Sequence, residues 1–397
     1  MKIPCHQENE PKDTINVGAI LTGLRPTHNS AADDPGVSIN LCNRVILRAD
    51  ADVDIGIGHV MRLSALGAAL VEANSDVLFV YNACPVPLLK KLESYGIKSL
   101  PLNSQSKNCD TGALIELARP GDYVAMDGYH FNLNDQKLVK NAGLKLLFLD
   151  DFGHCQHYEA DLILNQNASA RESLYPSIAE HTKLLLGTKY VLLRPEFLKL
   201  PKTNLSRGHS ERIDILVTMG GSDAENTTAL ILTALLQALK PSKIKANVRV
   251  VLGAANPNQE HIAKLIAQEK TSTPTTGGRP DIELDLIVNA NNMAELMHEQ
   301  DILISAGGTT VFEAAYLGLA NLVLTTADNQ DGTADLVEAG AIMSLGKFPN
   351  TGTEQIATVL KTLIESDLLQ KMPKIARSLV DGQGVQRVIA AMKDTEA

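Results

Sequence analysis

From Arg44 onward, short apolar runs alternate with longer amphipathic stretches. Val45–Leu47 reads as a strand. A loop follows, and His59 opens an amphipathic helix through Ala73. Val77–Tyr81, Tyr123–Met126, Lys145–Leu149 and Leu162–Leu164 read as further strands, with helical stretches between them. Apolar runs separated by helical patterns predict βαβ units and a parallel sheet. The rhythm breaks over Lys199–Arg212, a polar stretch with Pro201 and Gly208 that reads as a linker. It restarts at Ile213–Thr218 and continues through Val248–Leu252, Leu284–Val288, Ile302–Ser305 and Leu322–Leu324. Ser222 and Glu225 have the spacing of a capping box for the helix after Thr218. The fold class predicted is α/β, with two Rossmann-like domains at residues 44–200 and 201–397. Such halves bind a ligand between them, beyond the carboxyl ends of their strands. Residues 1–43 differ: they hold Pro4, Pro11, Pro26 and Pro35 and one short apolar stretch, Val17–Leu21, and read as a loosely ordered extension.

A chain of 397 residues has room for two or three domains and their cores. Lys and Arg number 36 against 46 Asp and Glu, a net charge of −10 that argues against a nucleic-acid partner. A local positive pocket for one phosphorylated ligand stays open. Trp is absent and aromatics make up 4%, which disfavours a base-stacking surface. Five cysteines, Cys5, Cys42, Cys84, Cys109 and Cys155, are scattered without a CxxC pair and read as free thiols. No apolar run has the length of a membrane span, and Met1–Glu10 lacks the apolar stretch of a signal peptide. The expected location is the cytoplasm, without membrane insertion.

Three strand–loop–helix junctions carry glycine. In the first, Gly56-Ile57-Gly58-His59, the backbone can approach a ligand and the helix start favours anions. His59 sits near the positive end of the helix dipole, which disfavours imidazolium and predicts a neutral ring able to accept a proton. Arg62 lies one turn on and would face the same pocket. The plainer alternative is a tight turn with a surface histidine. The second junction is Thr218-Met219-Gly220-Gly221-Ser222-Asp223, and the third runs from Ser305 through Gly307, Gly308 and Thr309 to Glu313. Two such loops in one half suit a diphosphate or a nucleotide spanning both. Glu313 either closes a capping box with Thr310 or grips ribose hydroxyls. Asn329 and Gln330 offer amides to a neutral polar group, or cap a helix. Asp50, Asp52 and Asp54 resemble an acidic metal loop but read better as solvated. His154, Cys155 and His157 lack a spaced fourth zinc ligand. Asp150 and Asp151 close a strand and either reach the cleft or cap the segment after it. No metal and no cofactor is expected.

Taken together, the stretch from Arg48 to Arg62 resembles the opening of the nucleotide-sugar hydrolases of pseudaminic acid biosynthesis, which hydrolyse UDP-2,4-diacetamido-2,4,6-trideoxy-β-L-altropyranose. Further blocks are similar in family order: Asp127–Tyr129, Leu149–Gly153, Leu162–Asn167, Lys189–Phe197, Ile215–Asp223, Ala306–Glu313, Asp328–Gln330 and Asp381–Gly384. Phe312 stands where the family often has Trp, and Ala320 where it has Pro. Spore-coat polysaccharide proteins share much of the pattern. The family resembles two-domain GT-B glycosyltransferases, above all the enzyme that adds N-acetylglucosamine in peptidoglycan assembly.

The resemblance implies that His59 activates water, with Tyr129 a further active-site group and Gly58 and Arg62 beside it. It implies that Glu313 binds ribose and that Gly220, Gly221, Ser222, Gly307, Gly308 and Thr309 hold the UDP. Met293 would offer a backbone contact to uracil, and Asn329 and Gln330 would face the sugar. The implied reaction is inverting attack of water at the anomeric carbon of a UDP-linked diacetamido sugar. The alternatives are a GT-B glycosyltransferase using a UDP-amino-sugar donor and a non-catalytic nucleotide-sugar-binding protein.

Overall fold

The computed structural model describes residues 44–52, 55–102, 110–201, 212–242, 244–254, 256–272, 275–276 and 279–395. The expected extension at residues 1–43, the middle of the linker, Asp54, Cys109 and the side chain of Asn329 lie outside the described residues.

The first half runs β1 (Val45–Arg48), α1 (Gly58–Glu72), β2 (Val77–Tyr81), α2 (Val86–Ser94), β3 (Lys98–Pro101), α3 (Asp110–Leu117), β4 (Tyr123–Asp127), α4 (Leu133–Asn141), β5 (Lys145–Leu149), β6 (Leu162–Asn165) and β7 (Lys183–Leu186). Its seven strands form one sheet in the order β3-β2-β1-β4-β5-β6-β7, with every pair parallel. The central strands β1 and β4 are buried along their whole length, as expected when helices cover both faces. α1 lies close on the sheet because Gly67 has no side chain: a Cβ there would come within 2.7 Å of Leu47 and 2.8 Å of Ile97.

After the short helix α5 (Pro195–Leu198), the second half runs β8 (Arg212–Thr218), α6 (Thr227–Ser242), β9 (Lys245–Leu252), α7 (Gln259–Ser272), the two-residue strands β10 (Thr275–Thr276) and β11 (Arg279–Pro280), β12 (Ile282–Val288), α8 (Met293–His298), β13 (Ile302–Ala306), α9 (Thr310–Leu317), β14 (Ala320–Thr325), α10 (Ala334–Glu338) and β15 (Met343–Lys347). It ends with α11 (Thr353–Glu365), α12 (Leu368–Leu379) and α13 (Gly384–Asp394). The six-stranded sheet has the order β12-β9-β8-β13-β14-β15 and is again parallel throughout.

Every strand expected from the hydrophobic pattern is present. Five of the described strands were not announced: β3, β7 and β15 are short strands at sheet edges, and β10 and β11 are two residues each and pair only with one another. The helix after β8 starts differently from expectation. Asp223, at φ 41°, accepts the backbone N–H groups of Thr227 and Thr228 at 2.8 and 3.0 Å. It takes the capping role expected of Ser222 and Glu225, because the chain turns through a left-handed residue and the helix starts later.

The chain crosses between the halves twice. On the way out, Val191, Leu193 and Phe197 pack into the core that holds α9 and α12. On the way back, α13 buries Val385, Val388, Ile389 and Met392 in the core of the first half, against the α1 side of its sheet. Both crossings touch: a Cβ on Gly384 would collide with the Val191 carbonyl oxygen, and Arg387 donates to the Lys189 carbonyl at 2.8 Å. Gly382 adopts φ 86°, a conformation that favours glycine. This explains the glycines of the Asp381–Gly384 block.

Candidate active site

The strand order of the first sheet reverses direction between β1 and β4. The loops after these two strands therefore part to either side and leave a crevice at the carboxyl edge, the usual ligand position in such sheets. The loop after β1 delivers His59 in the first turn of α1, and the end of β4 delivers Asp127 and Tyr129. In the second sheet the corresponding strands are β8 and β13. Gly220–Gly221 follows the first and Gly307–Gly308 the second, so both glycine loops fall at that crevice.

His59 is 6% exposed, and its Nδ1 lies 2.6 Å from Asp127 Oδ1. Asp127 is fully buried at the strand end and pairs in two places with Arg62, at 2.5 Å from Nε and 2.6 Å from Nη2. Arg62 also holds Asp151, at 2.7 Å from Nη1 and 3.0 Å from Nη2. Asp151 in turn accepts from the Tyr129 hydroxyl at 2.8 Å and from Asn167 Nδ2 at 3.0 Å. The Tyr129 ring stands edge-on to His59, with centroids 4.7 Å apart.

The electrostatics of this network are decided by the buried charges. Burial would raise the Asp127 carboxyl, but Arg62 and His59 outweigh it and hold the group well below the usual carboxylate range. Asp127 therefore stays ionised and accepts a hydrogen bond from His59 Nδ1–H, which leaves Nε2 as the acceptor. Burial and then the Asp151 charge hold the Tyr129 phenol well above its ordinary value, so it acts as a donor. Arg62 is not a free ligand-binding cation as expected. It is 6% exposed, with its short bonds directed to two carboxylates, because it lies one turn beyond His59 on the same side of α1.

The second half approaches this cluster through the helical turn Asp328–Thr333. A Cβ added to Gly332 would lie 3.2 Å from Asn167 Cγ, which places that turn against the residue that holds Asp151. Gln330 in the same turn does not present a free amide oxygen. Its Oε1 accepts from Gly307 N at 3.1 Å and Thr326 N at 2.9 Å, so it staples the glycine loop to the end of β14. Around Gly58, Gly220, Gly221 and Gly308, an added Cβ would meet nothing within 4 Å; the backbone there is open to a ligand. Thr309 precedes α9 without a side-chain cap, and Met293 begins α8 half-buried against the core that contains Phe312. Glu313 does not close a capping box with Thr310. Arg194, from the outward crossing, holds both its oxygens at 2.6 and 2.9 Å. Arg194 also contacts Glu196 at 3.2 Å, and Glu196 accepts from Tyr95 at 2.6 Å.

The other clusters resolve into separate pairs. Asp50, Asp110 and His130 bring possible ligand atoms within 4.8 Å of one another, but the Arg48 guanidinium already pairs with Asp50 at 2.6 Å and with Asp110. Asp52 accepts from Ile55 N within its own loop at 2.7 Å. Asp150 accepts from Phe152 N and Gly153 N at 2.8 Å and caps the loop after β5, whereas Asp151 reaches the cluster. His154 bonds the Phe131 carbonyl and pairs with Asp150 at 3.3 Å, whereas His157 bonds Ser177, so the two histidines have different partners.

Comparison with known proteins gives the class first. Residues 215–383 match the glycosyltransferase family 28 C-terminal domain. A MurG structure from Acinetobacter baumannii superposes with a TM-score of 0.62 at 16% identity, over 89% of this chain and 99% of that one. The chain has the GT-B fold of glycosyltransferases. Among its sequence relatives is the UDP-2,4-diacetamido-2,4,6-trideoxy-β-L-altropyranose hydrolase of Campylobacter jejuni, 27% identical over 73% of this chain and 94% of the relative. An uncharacterized protein of Methanocaldococcus jannaschii is 29% identical over 71% of this chain. This chain spans 55% of that relative's length.

Proposed function

We propose that this protein hydrolyses a UDP-linked 2,4-diacetamido-2,4,6-trideoxy sugar to UDP and free sugar, as a step toward pseudaminic acid. The observation that carries the reading is the Asp127–His59 pair, with Nδ1 2.6 Å from Asp127 Oδ1; a proton held on Nδ1 leaves Nε2 to accept one. In this reading UDP lies on the open glycine backbone of the second half, with Glu313 at the ribose, and the sugar extends toward His59. Met293 N meets uracil, and Tyr129 borders the reacting sugar. The oxygen of water bonds to the anomeric carbon as the bond to the β-phosphate oxygen breaks, and that oxygen keeps the electron pair. The water proton passes to His59 Nε2. Attack from the face opposite UDP inverts the centre. UDP is a stable leaving anion, and backbone N–H groups at helix starts stabilise its charge without a protonated acid.

Family 28 similarity over residues 215–383 favours a second reading, transfer of the same sugar to an acceptor. One assay separates the two: purified protein, UDP-sugar, no acceptor and EDTA present. Hydrolysis predicts stoichiometric UDP and free sugar at full rate, and loss of turnover with retained UDP binding in His59→Asn. Slow release that an added acceptor accelerates would favour transfer. Full activity in His59→Asn would remove the proposed base.

A further inference from the structure

Eight large hydrophobic side chains are strongly exposed among the described residues, and three of them, Ile57, Tyr129 and Phe152, belong to the segments around His59. Phe152 is the most exposed of these three, at 49%. Its ring lies 5.3 Å from Tyr129, whose own ring touches His59. A single exposed apolar side chain is ordinary, but Phe152 and Tyr129 form a contiguous aromatic surface that reaches His59. The loop is also fixed. Asp150 Oδ1 accepts from both Phe152 N and Gly153 N at 2.8 Å. Gly153 has φ 74°, and a Cβ there would collide with the Leu174 carbonyl oxygen. On its other side the Phe152 ring is braced by His154 at 5.5 Å.

We propose that Phe152, continuous with Tyr129, is a specificity-determining platform that packs against the methyl groups of the sugar. The proposal rests on the hydrolase reading for the identity of that sugar. A 2,4-diacetamido-2,4,6-trideoxy ring carries three methyl groups, two acetamido and one at C6. A ring with one acetamido group and a C6 hydroxymethyl presents far less apolar surface. A rigid aromatic face rewards the first and is nearly indifferent to the second. In the hydrolase reading UDP lies in the second half, so its own affinity should not depend on Phe152.

The test is equilibrium binding in the His59→Asn background, with UDP, UDP-N-acetylglucosamine and the UDP-diacetamido-trideoxy sugar as probes. Phe152→Ala is expected to weaken the diacetamido donor about tenfold, with the other two changed less than about twofold, and Phe152→Leu to recover most of the loss. An unchanged diacetamido affinity, or equal weakening of all three probes, overturns the platform. Turnover of the otherwise native protein is scored separately. Donor affinity that depends on Phe152 without any hydrolysis rejects the hydrolase reading and supports the platform.

Discussion

Asn167 and Gly332 come from opposite halves of the chain and lie in contact, with the Cβ position of Gly332 3.2 Å from Asn167 Cγ. Asn167 also donates to Asp151, so the approach of the second half bears directly on the network under His59. Gly332→Val is expected to displace Asn167. It should lower kcat/KM for the UDP-sugar about tenfold, the scale of a small misplacement, with the melting midpoint nearly unchanged. Steady-state kinetics beside a thermal melt check this.

Asp127 fixes which nitrogen of His59 carries the proton. Asp127→Asn keeps the shape but presents an amide, and nothing then requires Nε2 to be the acceptor. A fall in kcat of roughly 10²- to 10⁴-fold is expected, with UDP affinity within about twofold of the native value. Single-turnover rates and UDP titration measure the two separately.

Arg194 holds Glu313 from the crossing segment, so the two side chains should act as a unit on UDP. Glu313→Gln and Arg194→Met are each expected to weaken UDP binding about tenfold, and the double variant little more than either alone. Calorimetric titration of the four proteins reads the coupling. Additive losses would separate Arg194 from the ribose contact.

His154 supplies a pH signature. Burial lowers its affinity for a proton, but the Asp150 carboxylate, Cys155 and the Phe131 carbonyl outweigh burial and push the imidazole up to about 10, from an ordinary 6.5. A raised folded value means that its stabilisation is complete below pH 6.5 and is lost as pH rises through about 10. The native protein should therefore lose more stability between pH 7 and pH 10.5 than His154→Gln does. Urea midpoints of both proteins across that range decide it.

The alternation of strands and helices was legible because both sheets are parallel and buried on two faces, so their central strands read as mostly apolar runs. The place of His59 was legible for a related reason: a glycine turn between strand and helix lies at the carboxyl edge in any such sheet. Its partner was not. Asp127 is 68 residues away, and only the strand order brings the end of β4 beside the start of α1. Local spacing misled at two helix starts. Glu313 sits three residues after Thr310, yet its charge is claimed by Arg194, 119 residues away, because a guanidinium fork outcompetes one backbone N–H. Ser222 and Glu225 have the right spacing, yet the left-handed turn at Asp223 moves the helix start past them. The return of α13 to the first core had no local signal beyond the glycines of Asp381–Gly384.

The central claim is that water, activated at His59, attacks carbon rather than phosphorus. Hydrolysis in ¹⁸O-labelled water, followed by mass spectrometry of both products, tests it most directly. The account predicts the label in the anomeric hydroxyl of the free sugar and none in UDP. Label in the terminal phosphate of UDP would mean that the P–O bond breaks, and would contradict it.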